Sequence, residues 1–323
     1  MTRKLMLGLL AVLVLTSQAS ATEVFEKVGT VGCQFLKIGA GPRGVGMGEA
    51  MVAATEGVES IYWNPAGLRS IVRPTAVFTY GTWPAGISHQ FAAYALRPAF
   101  IRGVLAVSVT TLRMDPMQVI PADTPGGVGV EFNASDMAIG VTYAREFTDK
   151  FAAGGTIKWI HSGLADLSVL GVPGLEDYWA EGFVGDFGTH YNTGFHSLQI
   201  GLMIQNMGPE LTYIDEPVPM PATFKFGLSM NVLETPGQTV KVAAEFRHPS
   251  DSAEKVNIGA EYALNDMYFV RAGYKMGYDE ESFTAGGGAR LTVGTLTRLG
   301  VDVSYAAFGY LGGIVRAGVT FEF

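Results

Sequence analysis

Val315-Arg316-Ala317-Gly318-Val319-Thr320-Phe321-Glu322-Phe323 closes the chain, and its alternation decides the fold. Val315, Ala317, Val319, Phe321 and Phe323 are apolar, whereas Arg316, Gly318, Thr320 and Glu322 are polar or very small. A period of two with one greasy face and one ionic face describes a β-strand lying between unlike media. The opposite end supplies the setting. Arg3 and Lys4 precede an apolar stretch from Leu5 to Leu15, followed by Ala19-Ser20-Ala21 as a small-x-small cleavage site. This reads as a secretory signal over residues 1–21, too short to span a bilayer and expected to be removed. An exported chain with an amphipathic strand ending on a C-terminal Phe follows the pattern of outer-membrane β-barrels.

Composition agrees with that setting. No later stretch offers the run of roughly 20 uninterrupted apolar residues that a membrane helix requires, yet 48% of the chain is hydrophobic and only 16% charged. A soluble domain usually carries about 25% charge, and strands with one lipid-facing side produce the shortfall. The net charge of −8 argues against a nucleic-acid partner. Cys33 stands alone, which excludes an internal disulfide and a multi-thiolate metal site, so a small buried residue is expected there. The 42 glycines follow no collagen period and suit close backbone approach on curved sheets.

Eight later runs alternate clearly, ending on the one quoted above. Leu198, Ile200, Leu202 and Ile204 share one face, as do Phe224, Phe226, Leu228 and Met230, and Val240, Val242, Ala244 and Phe246. The opposite faces carry Lys225, Lys241, Glu245, Arg247, Glu261, Arg271, Lys275, Arg290, Arg298, Asp302, Arg316 and Glu322, charges that lipid would reject. Less regular runs cover Arg73 to Gly81, Ile87 to Leu96, Ile101 to Leu112, Ser135 to Arg145, Lys150 to His161 and Tyr178 to Tyr191. The sum is about fourteen, an even number as single-chain bacterial barrels require. Short connections such as Asn265-Asp266 alternate with a set containing the long ones, Arg113 to Asn133, Ser162 to Asp177 and Met207 to Pro221. That asymmetry is the one between periplasmic turns and outer loops. Tyr143, Tyr262, Tyr274, Tyr305 and Phe321 fall toward strand ends, where aromatic girdles sit. The expected fold is therefore all-β, a transmembrane antiparallel barrel over residues 73–323.

Residues 22–72 precede the first strand and are expected to form a compact plug in the periplasmic mouth. Gly39-Ala40-Gly41-Pro42-Arg43-Gly44 matches a dinucleotide fingerprint by letter. It lacks the buried strand and βαβ context that the fingerprint needs, and Pro42 interrupts it, so the match is set aside. In Tyr62-Trp63-Asn64-Pro65-Ala66-Gly67-Leu68, Asn64 suits a helix cap and Pro65 the first helical position, with Trp63 and Leu68 packing the turn. The block Arg43-Gly44-Val45-Gly46-Met47-Gly48-Glu49-Ala50, with Phe35-Leu36-Lys37-Ile38 and Tyr62-Trp63-Asn64-Pro65-Ala66, resembles the N-terminal signature of the PorV/PorQ family, a branch of the FadL-like long-chain fatty-acid transporter barrels. Asp186-Phe187-Gly188, Gln205-Asn206-Met207-Gly208, Asn257-Ile258-Gly259-Ala260-Glu261-Tyr262 and Arg271-Ala272-Gly273-Tyr274 extend the likeness over nearly all of the mature chain. The resemblance implies a 14-stranded barrel with an N-terminal plug, in which Arg43, Met47, Gly48, Trp63, Asn64 and Pro65 carry the plug motif.

The implied function forks. The PorV/PorQ likeness implies a non-enzymatic protein of type IX secretion that binds cargo proteins and hands them to a surface complex. The FadL-like alternative is a passive channel for hydrophobic small molecules. Met114, Met117, Pro121 and Pro125, with Pro219 and Met220, offer adaptable apolar contact in the outer loops for a partner or ligand, or else fold over the barrel as a lid. The lumenal charges favour structural bracing of barrel and plug. Outer-membrane lipid is the expected surroundings, and no cofactor is expected. His89, His161, His190, His196 and His248 have no metal-ligand spacing, and His190 near Asp186 is a possible lumenal pair rather than a catalytic one.

Overall fold

The computed structural model describes residues 29–120, 129, 131–165, 178–213, 215–293 and 297–323. The expected signal over residues 1–21 lies outside them. Fourteen strands form the wall: β1 (Thr75–Thr82), β2 (Ser88–Leu96), β3 (Val104–Arg113), β4 (Ser135–Glu146), β5 (Phe151–Ala165), β6 (Tyr178–Asn192), β7 (Gln199–Met207), β8 (Thr223–Thr235), β9 (Gln238–Pro249), β10 (Lys255–Leu264), β11 (Tyr268–Met276), β12 (Glu281–Val293), β13 (Thr297–Phe308) and β14 (Gly313–Glu322). Each pairs antiparallel with its neighbours in sequence, and β1 closes the cylinder on β14 from Thr75↔Glu322 to Thr82↔Val315. Closure gives every strand a partner on both sides along most of its length, as strands that cross a bilayer require. Two small ribbons, Met117–Gln118 with Glu131–Phe132 and Leu211–Tyr213 with Glu216–Val218, belong to the long connections.

Alternation sorts the side chains as the pattern requires. Val107, Val141, Ile157, Leu202, Phe224, Val270, Val301 and Val315 are exposed on the outer surface. Tyr143, Tyr262, Tyr274, Tyr305 and Phe321 are exposed with them, consistent with interfacial girdles. Their strand neighbours Lys225, Glu245, Arg247, Glu261, Arg271 and Arg316 are buried within. This inversion, apolar outside and charged inside, is what a barrel in lipid demands.

Residues 29–72 lie inside the cylinder, and they do not stop at the short-turn mouth as the sequence led us to expect. The Gly32 amide donates to the Pro219 carbonyl at the long-loop end, whereas Arg97, in a short turn, donates to the carbonyls of Ile71 and Arg69. The segment therefore threads the lumen from one end to the other. It does so as short turns, Gln34–Lys37, Pro42–Gly46, Ser60–Trp63 and Pro65–Ser70, because glycine and proline recur too often for a longer helix. The barrel makes room with inward-facing glycines. A Cβ on Gly259 would fall on the Met47 carbonyl, and one on Gly273 would fall on the Gly48 amide, so main chain rests directly on the wall.

Candidate functional site

The lumen divides into three levels. At the long-loop end, Ile160, Ala180 and Val184 from the wall, Leu211 and Met220 from the connection after β7, and Cys33, Phe35 and Leu36 from the threaded segment form one buried apolar cluster, joined by Ala138. Here Ile160 of β5 and Ala180 and Val184 of β6 are apolar inward positions, whereas many inward positions of β8–β14 are charged. Local turns hold Phe35 and Leu36 in place: the Leu36 amide donates to the Cys33 carbonyl, and Lys37 and Gln34 both donate to Asp251. Hydrogen bonds from those two groups outweigh burial, which raises the Asp251 pKa, and hold it below the ordinary carboxylate value. Few polar groups border the cluster: Ser162 Oγ donates to Asp136 at 2.5 Å, and Cys33 Sγ lies 3.9 Å from the Tyr213 hydroxyl. Burial pushes the Cys33 thiol up to about 11.

The wall beside this cluster is irregular. Between the pairs Gly185↔Met207 and Phe187↔Ile204, β7 carries one more residue than β6, a bulge centred on Asn206 with φ of 59°. A buried polar set fixes it: the Asn206 amide donates to Asp186 at 2.8 Å, and Lys158 lies 2.9 Å from Asp186 and 2.5 Å from Asn206 Oδ1. Beyond Gly185, residues 178–184 keep β5 as a partner on one side and have no ladder partner on the other among the described residues. The chain after Met207 turns inward instead, and Leu211 packs so closely on Gly182 that a Cβ there would overlap it. This seam is closed by side-chain packing rather than by a hydrogen-bond ladder.

The middle level is an ionic collar on the threaded segment. Arg43 donates from Nε and Nη2 to the two Glu261 oxygens, each at 3.0 Å. Arg271 donates to Glu261 at 2.6 Å and to Asp302 at 2.5 Å. Glu49 lies 2.8 Å from Arg247 and 3.1 Å from Lys275, which also pairs with Glu281. Glu245 accepts the amides of Met51 and Val52, at 2.8 and 2.7 Å. Paired, hydrogen-bonded charge is the form in which ions persist in such an interior. Lys225 lies 5.6 Å from the Tyr62 ring and 5.9 Å from the Trp63 ring.

The third level, at the short-turn mouth, holds an open cavity of about 730 Å³ with Arg43, Glu59, Lys241, Arg290, Arg298, Asp302 and Glu322 in its lining. It lies at the far end from the apolar cluster, and its charged walls do not suit an apolar solute. Lys241 reaches Glu56 at 3.6 Å, and Arg298 reaches Glu322 at 3.8 Å. Burial, with repulsion from Asp302, pushes the Glu59 carboxyl up to about 7.

Lys225, Glu245, Arg247, Glu261, Arg271, Lys275 and Arg316 are buried, Lys241 and Asp302 are half-buried, and Arg290 and Arg298 are exposed at the short-turn mouth. Met47 and Trp63 are buried, Gly48 meets the wall, and Asn64 Oδ1 caps the turn opened by Pro65 by accepting the Ala66 amide at 3.1 Å. Pro42–Gly46 is a single helical turn without βαβ surroundings. Met220 is buried in the apolar cluster rather than offered to a partner, and Pro219 holds the threaded segment through its carbonyl. Met114 and Met117 are half-buried, while Pro121 and Pro125 lie outside the described residues. His190 and Asp186 do not pair: the Nε2 of His190 meets the Ala53 carbonyl, and Asp186 serves Lys158 and Asn206. Ile160, Val184, Leu211 and Lys158 were not anticipated as site residues. The signal for the first two was only an isolated apolar residue among mixed positions on the inward parity of β5 and β6.

No protein-family model matches the sequence, and no curated protein matches it. Solved structures do match the fold. The toluene transporter TbuX of Ralstonia pickettii aligns with a TM-score of 0.57 at 17% identity, over 88% of this chain and 97% of its own. The monoaromatic hydrocarbon channel CymD gives 0.59 at 14%, over 88% and 98%. The toluene transporter TodX of Pseudomonas putida gives 0.59 at 12%, over 86% and 96%. Shared closure, strand number and outer apolar belt make this chain a 14-stranded barrel of the bacterial outer membrane.

Proposed function

We propose that the protein is a non-enzymatic, FadL-like channel that admits small hydrophobic molecules across the outer membrane. The observation that carries this reading is the buried apolar cluster under the long loops, built by Ile160, Val184, Leu211 and Met220 and placed directly beside the β6–β7 seam. A solute arriving from outside exchanges water for contact with that cluster, a gain of about 25 cal/mol per Å² of apolar surface. Straight passage is opposed by the ionic collar and by the segment threaded through it. Sideways exit past the seam delivers the solute to lipid without crossing charge. The resemblance of the fold to proteins described as toluene transporters and hydrocarbon channels supports the same reading. The cargo-shuttle role that the PorV/PorQ likeness implies rests on sequence motifs and gains no support from these neighbours.

The test is uptake of radiolabelled toluene by cells whose outer membrane carries lipopolysaccharide, with and without the protein. Expression should raise the initial rate severalfold. Rates equal to those of cells lacking the protein, with the barrel folded and present, would sink the reading.

A further inference from the structure

We propose that a second site in the outer half of the lumen, separate from the apolar cluster, binds the carboxylate of a small aromatic acid on Arg316, with Trp83 and His89 as walls. The strand register builds it. Gly81 on β1 stands opposite His89 of β2 on one side and Arg316 of β14 on the other, and Arg316 stands opposite Ser304 of β13. His89, Ser304 and Arg316 are 1%, 2% and 4% exposed, all on the lumenal face. Because Gly81 has no side chain, the Arg316 stem crosses over it: a Cβ there would lie 2.9 Å from Arg316 Cγ.

Arg316 is the exception among the buried lumenal arginines. Arg43, Arg247 and Arg271 each bind carboxylates, but Arg316 makes no hydrogen bond or ion pair with any described residue. Its guanidinium lies 5.4 Å over the Trp83 ring, which meets Phe308 edge-on at 5.1 Å. The carboxylates that could reach toward it are engaged elsewhere, Glu49 by Arg247 and Lys275, and Glu281 by Lys275. Around it, Trp83 Nε1, His89 Nε2 and Ser304 Oγ are also buried without partners.

A buried guanidinium without a counterion is costly, and so is each buried polar atom left unpaired. Four such groups converging on one patch call for an acceptor, and an anion satisfies the most of them at once. The planar fork of Arg selects a carboxylate, which it can bind through two parallel hydrogen bonds. The flat faces of Trp83, Phe308 and His89 select a ring as the body that carries it. The site does not depend on whether the barrel conducts hydrocarbons, since it is read from binding alone.

The experiment is calorimetric titration of the folded full chain in detergent with benzoate, with its neutral counterpart benzamide, and with toluene. Benzoate should bind at least tenfold more tightly than benzamide. Arg316→Met should abolish that preference while toluene binding stays as it was. Trp83→Leu, which leaves the charge in place and guards against a misfolded first variant, should weaken benzoate severalfold. Equal affinity for benzoate and benzamide in the parent, or a preference that survives both folded variants, overturns the proposal. Loss of toluene binding or uptake with benzoate binding intact would instead count against the hydrocarbon channel and leave this site standing.

Discussion

Arg43 and Glu261 form a two-pronged link between threaded segment and wall, two parallel hydrogen bonds in a buried setting. Replacing Arg43 by Met strands the partner carboxylate, for which losses of about 3–5 kcal/mol are usual. Arg271 still touches Glu261, so the lower end of that range is expected; the loss should appear as a lower temperature for conversion of the compact, fast-migrating barrel to the unfolded band on a gel. Glu59 gives a pH dependence. Its folded pKa of about 7 lies above the ordinary value of 4.5, so the folded protein holds a proton that the unfolded chain has released. Stability should fall as pH rises from about 4.5 to about 7 and level off above, and Glu59→Gln should flatten that slope. An unchanged slope in the variant would assign the dependence to other groups. At this scale the sequence was partly legible: charges on one strand parity told which residues face inward. It could not tell which acid meets which base, since Arg43 and Glu261 are brought together only by closure of the cylinder.

Elements were legible where alternation was strict, and less so at β5 and β6. There the inward parity carries Ile160, Ala180 and Val184, which blurs the contrast between faces, and the Asn206 bulge at the end of β7 puts Met207 on the other parity. The same residues that hid the pattern build the cluster and the seam, as expected where function overrides local regularity. The threaded segment misled for a different reason. Its turns were readable from Asn64 and Pro65, but its reach was not, because the contacts of Gly32 with Pro219 and of Lys37 with Asp251 are made across the whole chain. Inward glycines fix its position. Gly273→Val would push against the Gly48 main chain, and the expected result is a loosened segment and a severalfold rise in ion conductance across a planar bilayer. Unaltered conductance would mean that the collar alone keeps the lumen shut.

Over the whole molecule, the proposed channel divides the labour between a charged, threaded lumen, which would brace the cylinder and block straight flow, and an apolar outer cluster, which would leave sideways exit as the remaining route. The fourteen strands were foreseeable from hydropathy and loop lengths, but the route was not, because a seam is the lack of pairing between strands that both look regular. It can be tested by closing it. Cysteines at Val184 and Gly208, whose side-chain positions adjoin across the seam, can be joined in a chain with Cys33 replaced by Ala. Toluene uptake by cells carrying the oxidised pair should fall to the level without the protein and return on reduction; uptake that is indifferent to the bridge would place the exit elsewhere and contradict the lateral route.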